Sequence, residues 1–346
     1  MTGEVFWKRV PNAVRFLTDA VDELLCGKSV VMSFPSEVPW GDVMEDVLAE
    51  NLAPYLDTRS FDRFRVQDVD RPGDFLLQRY FSERERQNYW PAHGSVETFM
   101  AKNPNSPMHR RIICASEIRR EHAMAWAASV SDYRSHISDP DDAALFVLIA
   151  SNADIPDSDI VAVLDYADYI SDYDRLMLCM NLLAELNCSS LEKQYISELA
   201  VRMGGSCMEY AGQLAEHGKD LLCSPYTIFR SVFHNLPVDE AKELADQALW
   251  EAQIRIVYPE LEHFRRDFIR KYQKKLANYL PIRDSSGENT TDVRDLELGQ
   301  IYYICRNNHI AEKRDYDALC NMRDARNLIA HGNTIPYHDL KTLGIL

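Results

Sequence analysis

The chain is poor in residues that interrupt structure and in patterns that declare a chemistry. It has thirteen glycines and fifteen prolines among 346 residues, with no Ser/Gly-rich or Pro-rich tract. Long flexible linkers and disordered tracts are therefore not expected. No segment approaches the ~18 uninterrupted apolar residues of a membrane span. The start, Met-Thr-Gly-Glu-Val-Phe-Trp-Lys-Arg, has no apolar leader core. The expectation is a soluble cytoplasmic protein with no membrane partner. None of the eight cysteines forms a C-x-x-C pair, and several lie in apolar runs, as Cys114 and Cys179 do. Scattered, reduced thiols fit this pattern, and zinc-ligand spacing is missing. His93, His109, His122 and His136 likewise share no metal-ligand spacing. There is no G-x-S-x-G, H-E-x-x-H or kinase signature. Basic residues are outnumbered, with a net charge of −16. Residues 246–346 are balanced, so the first 245 carry the whole excess. An acidic body disfavours broad nucleic-acid binding and leaves only a local basic cleft near the C-terminus open to RNA.

What is present describes an ordinary globular chain, 46% apolar and 27% charged, long enough for two or three domains. Apolar periodicity predicts a helix over 9–26, stopped at Gly27, and another from Trp40 to Asn51. Ser29–Phe34 reads as a buried strand. Further strand-like runs are Phe64–Val69, Arg111–Ser116, Ala144–Ala150 and Asp159–Leu164, the last two equally compatible with short buried helices. Helices between these runs imply an α/β domain over 1–174 with a largely parallel sheet. From about 175 the pattern becomes helical: Arg175–Leu186, Leu191–Met203, Met208–His217 and Val238–Val257. Tyr258-Pro259 breaks the pattern, and a helix from Glu260 to Leu280 follows. Residues 284–292 form a polar loop before helices over Leu296–Asn308 and Asp315–His331. The expected division is 1–174, a helical connecting region 175–245, and a small helical bundle 246–346.

Three stretches suggest chemistry that their context does not support. Gly27-Lys28-Ser29 has the end of a phosphate loop, but a helix precedes it, a strand follows, and Asp22 stands where the earlier glycine belongs. In a nucleotide-binding α/β domain the loop would lie after the first strand. There Pro35-Ser-Glu-Val-Pro-Trp-Gly-Asp42 has one glycine, no lysine and two prolines without amide donors. The domain reads as a degenerate P-loop ATPase-like unit that has lost phosphate binding. The carboxylates Asp165, Asp168, Asp172 and Asp174 suggest a cation site, but they directly precede a helix, where aspartate caps free amides. A weaker reading makes them part of a nucleotide-sensing site.

Two C-terminal features carry more. On the helix containing Phe264–Lys275, Arg266, Arg270 and Lys274 fall on one side, and Lys271 adjoins them. The pattern fits a solvated basic face, or more sharply an RNA-binding wall beside a cleft. Near the end stands Arg326-Asn327-Leu-Ile-Ala-His331-Gly332, the histidine placed for a helix end and Gly332 for the position beyond it. Arg, then Asn, then three variable residues and His resembles the signature of HEPN domains, common in prokaryotic defence and toxin proteins. The resemblance covers about 246–346. It implies a metal-independent, cofactor-free endoribonuclease that works as a homodimer through this helical domain, with RNA and other defence proteins as partners. By that resemblance His331 is the acid/base, Arg326 binds phosphate and Asn327 positions. The alternative is a catalytically silent HEPN scaffold in a multiprotein defence complex. Helical geometry adds a constraint: Asn327 and His331 share a face, and Arg326 lies about 140° away from His331.

Overall fold

The computed structural model describes residues 2–56, 59–66, 68–283, 287 and 289–346. The chain divides into two compact units, Met1–Asp174 and Arg175–Leu346.

In the first unit, helices α1 (Thr2–Arg9) and α2 (Pro11–Leu25) lead into β1 (Ser29–Phe34), then α3 (Gly41–Leu52) and β2 (Ser60–Arg65). Helices α4 (Pro72–Tyr80), α5 (Glu83–Arg86) and α6 (Val96–Lys102) precede β3 (Arg111–Ile118). Then come α7 (Arg120–Ser135), β4 (Leu145–Ser151), β5 (Val161–Asp165) and the short α8 (Tyr166–Tyr169). The five strands form one parallel sheet in the order β2-β3-β4-β1-β5. Every residue of β1 is buried, as a strand covered on both faces requires. Alternation along the strands divides the core. Val31, Ile113, Phe146 and Leu148 pack with Leu76, Met100, Trp126 and Val130 of α4, α6 and α7. Phe34 meets Phe16 of α2 on the opposite face, their rings 5.6 Å apart.

Gly27 is a helix stop and not part of a phosphate loop. With φ of +84° it lets the Gly27 and Lys28 amides close on the Leu24 and Glu23 carbonyls, each at 3.0 Å. The turn therefore feeds the N-terminal end of β1. Both runs left open between helix and strand, 144–150 and 159–164, are strands. The strand expected at Phe64–Val69 is displaced. The observed edge strand pairs Ser60 to Arg65 with Arg111 to Ser116, and Gln67 lies outside the described residues. Its alternation is weak because an edge strand is held by backbone pairing more than by burial. Two of the aspartates of 165–174 cap helices. Asp165 accepts from the Ala167 amide at 2.9 Å, and Asp174 accepts from the Ser171 amide and hydroxyl. Among the described residues no group of three potential ligands is placed to hold a metal.

The second unit is helical: α9 (Asp172–Leu182), α10 (Ser190–Gly204), α11 (Met208–Glu216), α12 (Lys219–Cys223), α13 (Pro225–Val232) and α14 (Val238–Leu276). A two-stranded hairpin of β6 (Ile282–Arg283) and β7 (Asn289–Thr290) then precedes α15 (Leu298–Asn308), α16 (Lys313–Ala330) and α17 (Tyr337–Thr342). Part of the expected 284–292 loop, residues 284–286 and 288, lies outside the described residues. The break expected at Tyr258-Pro259 does not occur. A single helix of 39 residues runs through Pro259 and across position 245/246. A helix-interior proline costs about 3 kcal/mol. Here Val257 and Leu261 are buried on one side, while Pro259 and Arg255 are exposed on the outer side, where a freed carbonyl can be hydrated. Among the described residues no helix is long and apolar enough to cross a membrane.

Two cores are strung along α14. Its first half packs with α10–α13, with Met322, Ala325 and Ile329 of α16, and with Ile335 and Leu340 beyond it. Its second half packs Phe268, Tyr272 and Leu276 against Leu296, Ile301, Ile304 and Leu319. In the first core Gln253 is fully buried. Its amide donates to the Tyr195 hydroxyl at 2.9 Å and the Ile335 carbonyl at 2.7 Å, and accepts from the Ile335 amide at 2.9 Å. Gln253→Leu strands both Ile335 backbone groups and is expected to cost about 2–3 kcal/mol in urea unfolding.

Glu192 is also buried and accepts hydrogen bonds from Tyr337 and Lys341. Burial pushes its carboxyl upward, but Tyr337, the Ser189 amide and Lys341 together outweigh that and hold it at about 2. A depressed folded pKa contributes stability that is complete above the unfolded value of about 4.5 and lost as pH falls toward 2. Acid unfolding of wild type and Glu192→Gln should therefore converge across that window. A constant difference between them down to pH 2 would contradict the assignment.

Candidate functional site

Helix α16 carries the motif at its C-terminal end. Met322, Ala325 and Ile329 hold one side of it in the core, while Leu328 is 45% exposed. The helix ends at His331, where a left-handed Gly332, φ +77°, allows two closing hydrogen bonds. The Gly332 amide reaches the Ile329 carbonyl at 3.1 Å, and the Asn333 amide reaches the Leu328 carbonyl at 2.9 Å. Trp250 of α14 adds its indole N–H to the Ile329 carbonyl at 2.8 Å. Four residues downstream of His331, the buried Gln253 holds Ile335. The backbone on both sides of the histidine is thus fixed from α14.

The side chains have more freedom. His331 is exposed, and among the described residues nothing hydrogen-bonds its ring. Asn327 is half-buried one turn before it, and its side-chain oxygen accepts from Arg326 Nη1 at 3.4 Å. Arg326 turns toward α15, where Nη2 lies 3.3 Å from Glu297 Oε2. Glu297 in turn caps α15 through a reciprocal bond with Gln300. Arg326 and Asn327 are therefore together, His331 is one turn away, and Arg326 is directed elsewhere.

The basic stripe of α14 is not beside this site. Lys271 pairs with Asp315 near the start of α16, Arg266 with Glu262 at 3.0 Å, and Arg270 with Asp267 at 3.2 Å. Lys274 is exposed. From Asp315 to Arg326 the helix rises about 16 Å. The part of α14 that adjoins the motif is Trp250 and Gln253, and the neighbouring surface is acidic. A groove of about 610 Å³ runs between Asp239, Glu243 and Asp246 of α14 and the Gly332–Thr334 segment.

No protein-family profile and no curated protein matches the chain.

The spacing that sequence reading missed lies on α16 itself. Tyr316, Cys320, Arg323 and Asn327 recur at i, i+4, i+7 and i+11, one stripe of a helix that leads to His331. Tyr302 of α15 stacks on Tyr316 with ring centres 6.0 Å apart, and the Arg323 guanidinium lies 3.7 Å from the Tyr302 ring centre. Hydrogen bonding from Arg323, and then from Tyr316, lowers the Tyr302 phenol. Aromatic rings beside a guanidinium suit base stacking as well as protein contact.

The Arg326–Glu297 pair is open to solvent, so its energy is small. A double-mutant cycle of Arg326→Ala and Glu297→Ala should give a coupling below about 1 kcal/mol. A coupling of several kcal/mol would make Arg326 a structural residue.

Proposed function

We propose that residues 246–346 form a HEPN-like domain and that the chain is a metal-independent endoribonuclease of a bacterial antiviral defence or toxin system. The observation that carries this reading is an exposed histidine on a rigidly capped helix end, with Arg326 and Asn327 one turn before it. In this reaction a ribose 2′-oxygen attacks the adjacent phosphorus and the bond to the 5′-oxygen breaks, giving a cyclic phosphate and a free hydroxyl. His331 exchanges a proton with the attacking or leaving oxygen, since imidazole titrates near neutral pH. The Arg326 fork stabilises charge on the phosphate oxygens, and Asn327 positions it. Because Arg326 and His331 of one chain diverge, the reading requires a homodimer in which two motifs complete one cleft. The first unit, with its parallel sheet and lysine-free loop after β1, is read as an ATPase-like regulatory domain without phosphate binding.

A second reading has its own support. Arg326 already has a carboxylate partner, the basic stripe is mostly paired and remote, and the groove beyond His331 is acidic. Those features favour a catalytically silent HEPN module that assembles with other defence proteins.

The test expresses wild type, His331→Ala and Arg326→Ala in cells and follows growth and RNA integrity. The enzyme reading expects growth arrest and RNA fragmentation with wild type, and at least 100-fold less fragmentation with either variant. Intact RNA and identical growth in all three strains would remove it in favour of the assembly module.

A further inference from the structure

The parallel sheet of the first unit opens a crevice of about 550 Å³ at the C-terminal ends of its strands. This is where open α/β sheets place their ligands, and the volume suits one small molecule. The strand order makes the crevice: the connection from β1 goes to the far edge strand β2, whereas that from β4 crosses β1 to reach β5. The loop after β1 and the start of α3 form one wall, β4 ends at the floor, and the end of β3 forms the other side.

The lining has the wrong charge for phosphate. Glu37, Asp42, Glu45 and Glu117 face two guanidiniums, Arg65 and Arg119. Both arginines are already engaged: Arg65 with Asp42 and Glu117, and Arg119 with Asp68 at 2.5 Å. Asp42 sits in the first turn of α3, where it offsets the positive end of the helix dipole, and the N-cap residue Trp40 makes no side-chain cap. Glu45 is only 8% exposed, and among the described residues it makes no hydrogen bond or ion pair. With no hydrogen-bond partner among the described residues, its carboxylate oxygens keep contact with the solvent of the crevice, and Arg63 and Arg65 act on it only through space, so a bound cation would be its first direct partner.

A second group needs a partner at the same place. Ser116 is 3% exposed, and among the described residues its hydroxyl has no hydrogen-bond partner. Strand alternation puts it on the same face as Cys114, whose thiol is raised first by burial and then by nearby Glu45. The β3–β4 register shifts between Ala115 and Ile118, and Glu117 takes a left-handed φ of +62° there. Such a bulge re-aims side chains beside binding sites. Val38, Met44 and Ile149 supply apolar surface among these polar groups.

We propose that this crevice binds a small aliphatic cation bearing ammonium or guanidinium groups, and not a nucleoside phosphate. Its charged end donates to the Glu45 carboxylate and to the Ser116 hydroxyl oxygen, while its methylenes lie against Val38 of the loop wall. A bare metal ion fits less well, because no three ligand side chains converge among the described residues and the cavity is far larger than an ion. The proposal is independent of the reading of the C-terminal motif.

Isothermal titration of the full chain at low salt, with spermidine, agmatine and magnesium–ATP as probes, tests it. One equivalent of spermidine or agmatine should bind saturably, and magnesium–ATP should not bind. Glu45→Gln should weaken cation binding about tenfold or more. Val38→Trp, which fills the crevice from its loop wall, should abolish binding with the circular dichroism spectrum unchanged. Glu243→Gln, in the other unit, should leave it unaltered. Three results would overturn the proposal: no saturable binding of either cation, weak binding of many equivalents indifferent to Glu45→Gln and Val38→Trp, or tight binding of magnesium–ATP displaced by Val38→Trp.

Discussion

Within the helical unit, one buried side-chain amide governs the geometry around the motif. Gln253 projects from α14 into a largely apolar core, and there it mimics a strand partner for Ile335 while also bonding the Tyr195 hydroxyl. A buried amide is tolerated only when its groups are satisfied. That requirement fixes where the chain can run after α16. Together with the Trp250 indole on the Ile329 carbonyl and the glycine turn at 332, it leaves His331 on a rigid backbone with a free ring. A held backbone and an exposed ring without a hydrogen bond among the described residues suit a proton-transfer group, and equally suit a residue that docks on a partner.

Charge is distributed by the same economy. The cations of the α14 stripe are mostly held by carboxylates one turn away or on α16, so the helix is less basic at its surface than its composition implies. The arginines at the sheet crevice are likewise spoken for, which leaves Glu37 and Glu45 to set the sign of that cavity. Counting charged residues along the chain describes neither place, because ion pairing converts a run of cations into a neutral surface.

Much of the coarse fold was legible. The Ser29–Phe34 run is buried on both faces and shows it by apolar residues at four of its six positions, and the change from strand-like to helical periodicity near 175 follows from side-chain pattern. Gly27 and Gly332 are readable as helix stops because only glycine takes the left-handed turn without cost. The edge strand β2 was misplaced because backbone pairing with β3, which leaves no side-chain signature, sets its limits. The continuous α14 was missed because Pro259 is a strong local stop signal. Its tolerance depends on flanking burial at Val257 and Leu261 that no local window contains.

The candidate sites divide the same way. Arg326, Asn327 and His331 announce themselves because they sit within a single helical turn and a half, and sequence alone determined that they share the end of a helix. Their relation to everything else was a tertiary matter: Glu297 approaches Arg326 from α15, Trp250 and Gln253 approach from α14, and the basic stripe is carried to the other end of α16. The crevice at the strand ends was signalled in sequence only by its 35–42 loop, and there as a lost phosphate site. Its walls come from residues 37–45, 65, 116–119 and 149–151, which only the crossing of parallel strands brings together. Local periodicity encodes which face of an element is buried, whereas packing decides which distant side chains that face will meet.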